Sequence, residues 1–227
     1  MAAFTPKLVL IDLDGTLVDS VPDLSYAVDH MMMALELPQP GEQKVREWVG
    51  NGIEKLVKRA LTDDMDAEPE AELFEQGLQI FKGSYAECNG RHSQLYEGVK
   101  EGLDWLQQEG FILACITNKA QQFTVPLLEK VGILSYFKLV VSGDSLPKKK
   151  PDPMPLLHSA AHFSVPPSKS LMIGDSMTDV KAARNAEFGA VICVNYGYNH
   201  GIDIQEANPD HVIDSFTQLP QLLKMSA

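Results

Sequence analysis

Asp12 and Asp14 stand two residues apart, directly after the short apolar run Leu8-Val9-Leu10-Ile11, and Gly15-Thr16 follow at once. A carboxylate pair so placed at a strand end fits a division of labour. Asp12 can serve as nucleophile and metal ligand; Asp14, past the strand, can protonate a leaving-group oxygen and then activate water. Gly15 lets the chain turn sharply, so that neighbouring N–H groups can point at phosphate oxygens. Other apolar runs end in reactive side chains too. Thr117-Asn118 follows Phe111–Ile116 and offers a hydroxyl and an N–H to phosphoryl oxygens. Lys148-Lys149-Lys150-Pro151 lies downstream of Leu139-Val140-Val141, and Lys150, directly before the proline, is assigned the role of a fixed positive charge. Asp175 and Asp179 follow Leu171-Met172-Ile173, and Asp175 completes an oxygen-rich site suited to Mg²⁺. Such an ion would hold Asp12 beside a phosphate oxygen despite their like charge.

Singly, these features have plainer readings. Asp12 or Asp175 alone fits a turn or helix cap, and Thr117-Asn118 an N-cap. The lysine run alone fits a solvated cluster, and Asp179 a first-turn helix carboxylate. Their order and shared location at strand ends carry the catalytic reading, because ligands of open α/β sheets bind beyond the carboxyl ends of the strands.

The elements that must position them follow a rhythm. Short, continuously apolar runs, including Ala190–Val194 and His211–Ile213, alternate with amphipathic stretches such as Val99–Gln108, Phe123–Val131 and Thr178–Ala186. This predicts an α/β fold, a Rossmann-like parallel sheet with helices on both faces. One interval breaks the rhythm: 19–91 holds helical patterns at Asp23–Leu37, Glu42–Val49, Ile53–Leu61 and Glu68–Glu87, and no convincing strand. It reads as a small all-α cap inserted after the first strand, with 1–18 and 92–227 forming the core. The Met31-Met32-Met33 run is expected to pack against the cap interior. Gly50-Asn51-Gly52 joins two cap helices and is expected to meet substrate; Arg46 and Lys55 flank it, and either could meet a substrate carboxylate, although a solvated surface position is the plainer reading of each.

The net charge of −12 argues against nucleic acid and anionic membranes as partners. Cys88, Cys115 and Cys193 form no paired framework and are expected to be reduced thiols. Met1–Pro6 lacks the charged start and apolar run of a signal peptide, so a cytoplasmic protein is expected. His158 and His162 stand four apart without partner ligands, and a packed or solvated face is expected rather than zinc.

Asp12-Leu13-Asp14-Gly15-Thr16-Leu17, Thr117-Asn118, Lys150-Pro151 and Gly174-Asp175-Ser176 with Asp179 resemble the four motifs of the haloacid dehalogenase-like hydrolase superfamily. Within it the chain resembles the bacterial phosphoglycolate phosphatases. That closer likeness rests on Leu17–Ser20, Trp48–Gly52, Thr117-Asn118-Lys119, Pro126-Leu127-Leu128, Lys150–Pro153 and Gly197–Gly201. The resemblance implies a cap that closes over the site and an aspartyl-phosphate on Asp12. It implies Mg²⁺ held by Asp12, the Asp14 carbonyl and Asp175, with Asp179 as a supporting carboxylate. The expected substrate is a small phosphomonoester, 2-phosphoglycolate foremost. A β-phosphoglucomutase-like phosphomutase, a broader sugar-phosphate phosphatase and a non-catalytic regulatory module of the same fold are the alternatives. Oligomeric state is left open.

Overall fold

In chain order the elements of this computed structural model are β1 (Leu8–Ile11), β2 (Val18–Asp19), α1 (Val21–Ala34), α2 (Glu42–Trp48), α3 (Ile53–Thr62), α4 (Ala71–Cys88), β3 (Gln94–Leu95), α5 (Val99–Gln108), β4 (Ile112–Ile116), α6 (Gln121–Lys130), β5 (Leu139–Val141), α7 (Met154–His162), β6 (Ser170–Gly174), α8 (Met177–Asn185), β7 (Ala190–Val194), β8 (His211–Ile213) and α9 (Leu219–Leu222). The structure describes residues 5–223. The ends of the expected core, 1–4 and 224–227, and most of the segment read for a leader lie outside the described residues.

Six strands form a parallel sheet in the order β5-β4-β1-β6-β7-β8. Their side chains alternate between two apolar layers. Val9, Ile11, Leu113, Cys115, Leu171 and Ile173 join one cluster with α5 and the C-terminal segment. Leu8, Leu10, Ala114, Ile116 and Met172 join the other with α7 and α8. A strand covered on both faces has no polar side to show, so these runs read as unbroken apolar sequence.

β1 sits centrally, and its register sets the site. Ile11 lies opposite Cys115 of β4 and Ile173 of β6. The next residues along, Asp12, Ile116-Thr117 and Gly174-Asp175, therefore leave the sheet at one level, at a switch point in strand order.

Helices α1–α4 bury a third cluster that includes Val28, Met31, Trp48, Phe81 and Tyr85, joined by Phe123 and Tyr198 from the sheet side. Met31 and Met32 are buried as expected, but Met33 is 59% exposed: three consecutive residues cannot share one helix face. The chain enters and leaves this helical block through the antiparallel pair β2–β3. Two residues per strand are too short to leave an apolar signature, which is why no strand was expected there. Asp23, fully buried, clamps the return: its carboxylate accepts from the N–H groups of Gly90, Arg91, His92 and Ser93 at 2.8–3.1 Å and from Ser93 Oγ at 2.5 Å. No helix among the described residues is long and apolar enough to cross a membrane. All three cysteines are free and buried.

Candidate active site

The structure brings Asp12, Asp175 and Asp179 together, with a carboxylate oxygen of each within 4.8 Å of the others. Lys150 is 2% exposed at its side chain and bridges two of them, 2.8 Å from Asp12 Oδ1 and 2.7 Å from Asp179 Oδ1. Lys149 points elsewhere, its Nζ donating to the Asn51 carbonyl at 3.1 Å. Asp179 is otherwise consumed by its surroundings: its Oδ2 accepts from Ser176 N, Ser176 Oγ and Asp175 N in a capping box that opens α8. Asp175 accepts from Thr16 Oγ1 at 3.0 Å and from the Tyr198 amide at 2.6 Å.

Three carboxylates against a single ammonium leave this cluster short of positive charge. Burial pushes the Asp12 carboxyl up to about 7; Lys150 pulls the other way and Asp179 adds to the rise. Burial, followed by Asp179 and Asp12, holds Asp175 well above the ordinary carboxylate range. A divalent cation with a preference for hard oxygen donors would relieve that imbalance, so the donor set fits Mg²⁺.

The loops around Asp175 have room for nothing more than hydrogen. A Cβ on Gly15, whose φ is +85°, would lie 2.3 Å from Asp175 Oδ2, and one on Gly197 would lie 2.1 Å from Asp175 Cβ. The two backbones thereby press the carboxylate into one orientation.

Asp14 faces away from the cluster. Ser20 Oγ donates to its Oδ1 at 2.6 Å, and Lys119 Nζ lies 2.9 Å from the same oxygen and 3.2 Å from Oδ2. Lys119 is 4% exposed and also donates to Tyr85 Oη of α4 at 2.6 Å. Burial would lower its pKa, but Asp14 and Tyr85 beside it hold the ammonium above the usual lysine value. The motif reading gave Lys119 no role. Its signal was present in its place right after Thr117-Asn118, at the end of the strand beside β1.

Thr117 is 4% exposed and its Oγ1 accepts from the Lys119 amide at 3.1 Å. Asn118 Nδ2 donates to the Lys150 carbonyl at 3.0 Å, tying the second and third motif segments together. Above these residues lies a cleft lined by Asp12, Asp14, Thr117, Asn118 and Lys119 below and by Leu24, Val49, Gly50, Gly52, Ile53 and Leu56 above. Gly50 and Gly52 thus face Asp12 across the cleft, while Asn51 turns its side chain back to Arg59.

Arg46 and Lys55, the two cations flanking this loop, are engaged with carboxylates of the protein. Arg46 forms a fork on Asp19, 3.1 Å at each oxygen, bonds Glu42 at 2.9 Å and stacks on Tyr198. Lys55 sits 3.7 Å from Glu68. Tyr198 closes a second link between layers: its amide holds Asp175, its hydroxyl donates to Asp19 at 2.5 Å, and it accepts from Ser20 N at 2.9 Å. His158 and His162 are exposed on α7, away from the cluster.

A parallel sheet with this helical insertion, and with acidic residues gathered at the end of its central strand, defines a hydrolase class. The chain belongs to the haloacid dehalogenase-like hydrolase family, whose model matches residues 9–193. Its relatives narrow the comparison. It is 56% identical over 222 residues, 98% of each chain, to a phosphoglycolate phosphatase of Nitrosococcus oceani. It is 46% identical to the phosphoglycolate phosphatase of Nitrosospira multiformis over 97% of each chain. A crystal structure of a predicted phosphoglycolate phosphatase from Haemophilus somnus superposes with a TM-score of 0.90 at 36% identity, covering 97% of this chain and 99% of that one.

Proposed function

We propose that the chain is a Mg²⁺-dependent phosphatase that hydrolyses 2-phosphoglycolate to glycolate and phosphate through a phosphorylated Asp12. The observation that carries this reading is the Asp12–Asp175–Asp179 cluster with Lys150 between its members, at the floor of a cleft roofed by Gly50 and Gly52. The names of the relatives support the choice of acid.

A carboxylate oxygen of Asp12 attacks phosphorus as the bond to the glycolate oxygen breaks, and Asp14 gives that oxygen its proton. Water then attacks phosphorus and yields a proton to Asp14, and the bond to Asp12 breaks. Lys119 and Ser20 fix the Asp14 carboxyl for both steps. Thr117, Asn118 and Lys150 offer donors to the phosphoryl oxygens. The carboxylates of Asp12 and Asp175 with the Asp14 carbonyl would hold Mg²⁺, and Asp179 keeps Lys150 and Asp175 in place. When bound, the ion supplies positive charge against the phosphoryl group. Residues 19–91 act as a cap unit on a core of 1–18 and 92–227, hinged at the β2–β3 pair, and close over a small substrate.

The test is phosphate release from 2-phosphoglycolate, hexose phosphates and nucleotides, with Mg²⁺ and with chelator. The reading predicts highest kcat/KM on 2-phosphoglycolate and loss in chelator. Preference for a hexose phosphate, with transfer to a sugar hydroxyl, would favour the phosphomutase alternative. No release from any monoester would leave a non-catalytic role.

A further inference from the structure

Arg59 is a buried cation with no carboxylate in contact. It is 6% exposed, and its donors all reach neutral oxygens: Nε to the Met65 carbonyl at 3.1 Å, Nη1 to the Trp48 carbonyl, and Nη2 to Asn51 Oδ1 at 2.8 Å. The other buried cations, Lys119 and Lys150, both rest on carboxylates. Asp66 acts on this charge without bonding to it; an ion withdrawn from water with no bonded counter-ion is costly, and an apolar side chain would fill the same space at less cost. The position of the charge suggests what it serves.

Trp48 and Asn51, the partners of Arg59, bracket Val49 and Gly50, which line the cleft opposite Asp12. Leu56, one turn earlier on α3, lines it as well. The guanidinium therefore lies immediately behind the cleft's upper wall. Every residue of α1–α4 and their loops that lines this cleft is uncharged, so the wall has no cation of its own. Three carbonyls around the loop are occupied away from the cleft, Glu47 by His200, Trp48 by Arg59 and Asn51 by Lys149, while the Gly50 carbonyl accepts from Asn118 Nδ2 of the cleft floor at 3.5 Å. The amides of Gly50, Asn51 and Gly52 donate to no protein acceptor among the described residues.

We propose that Arg59 is a specificity-determining positioning residue: it anchors the loop through the Trp48 carbonyl and the Asn51 side chain, with the loop's amides left without a protein acceptor, and places a positive charge with no bonded carboxylate behind it, so that the cleft selects monoesters whose leaving group carries a carboxylate. This rests on the phosphatase reading and assigns its choice of leaving group to a residue that does not touch substrate.

The experiment compares kcat/KM for 2-phosphoglycolate and for 2-hydroxyethyl phosphate, similar in length but neutral at its far end, in the full chain with Mg²⁺. In Arg59→Gln the ratio of the two efficiencies is expected to fall about ten-fold, chiefly through KM for 2-phosphoglycolate. Arg59→Lys keeps the charge while losing the fork, so it should lower both efficiencies and keep most of the ratio. Should Arg59→Gln fail to fold, the lysine variant decides alone: a collapsed ratio would overturn the charge argument. Equal loss on both substrates in Arg59→Gln would also overturn it, leaving a loop anchor only. A wild type that hydrolyses both substrates equally well overturns the inference while the phosphatase reading stands. A wild type active on neither defeats that reading, and the inference with it.

Discussion

Asp12 and Asp14 are chemically identical and two residues apart, and their surroundings separate them. Asp12 lies in the acidic cluster beside Lys150; Asp14 is turned to Lys119 and Ser20. Only the backbone of Asp14 is therefore free to face a metal. Asp14→Asn should lower turnover by about 10²-fold or more while leaving Mg²⁺ affinity near wild type. Asp175→Asn should lose that affinity, and Mg²⁺ titration by calorimetry separates the two; equal losses would contradict the assignment. Asp12, Thr117 and Asp175 were legible because they follow apolar runs directly, where topology gathers side chains, and Lys150 and Asp179 by their order downstream of such runs. Arg59 was not, since nothing in its sequence surroundings distinguishes a buried cation from the solvated ones around it; Lys119 was marked only by its place after Thr117-Asn118 at a strand end. Arg46 shows the same gap from the other side: its fork on Asp19 depends on a contact between distant segments.

Two devices at the scale of elements separate folding from chemistry. Asp23 gathers the amides of 90–93 and so fixes where the helical block rejoins the sheet. Asp23→Ala leaves those donors buried without an acceptor and should cost about 3 kcal/mol in denaturant unfolding. The glycines allow a sharper contrast. A Cβ on Gly102 would lie 2.5 Å from Phe216 Cβ, under α5 and far from the cluster; one on Gly197 would strike Asp175. Gly102→Ala should lower Tm with little change in Mg²⁺ affinity, and Gly197→Ala should weaken Mg²⁺ binding more than it lowers Tm. Strand positions were readable almost to the residue, as with Ala190–Val194, because burial on both faces leaves an unbroken apolar run. Helix ends were less so. The first cap helix begins at Val21 rather than Asp23 and ends at Ala34 rather than Leu37, because Pro at its start is tolerated and Glu36 takes a positive φ of 57° after its end.

At the scale of the whole molecule, a chain of net charge −12 carries a site for an anion, and attraction must be local. Lys150 and Lys119 below the cleft, Arg59 behind its roof and a bound cation would supply it. The fold and the motif residues could be anticipated from sequence because parallel-sheet topology fixes where strand ends meet. The contents of the cleft could not, because they depend on how two parts of the chain pack. The proposed mechanism turns on Asp12 as the group that takes the phosphoryl. The direct measurement is turnover of 2-phosphoglycolate by Asp12→Asn against wild type at saturating Mg²⁺, with circular dichroism to verify the fold. A loss of at least about 10³-fold in a folded protein is expected; an Asp12→Asn variant that keeps turnover within about ten-fold of wild type would rule out Asp12 as the nucleophile.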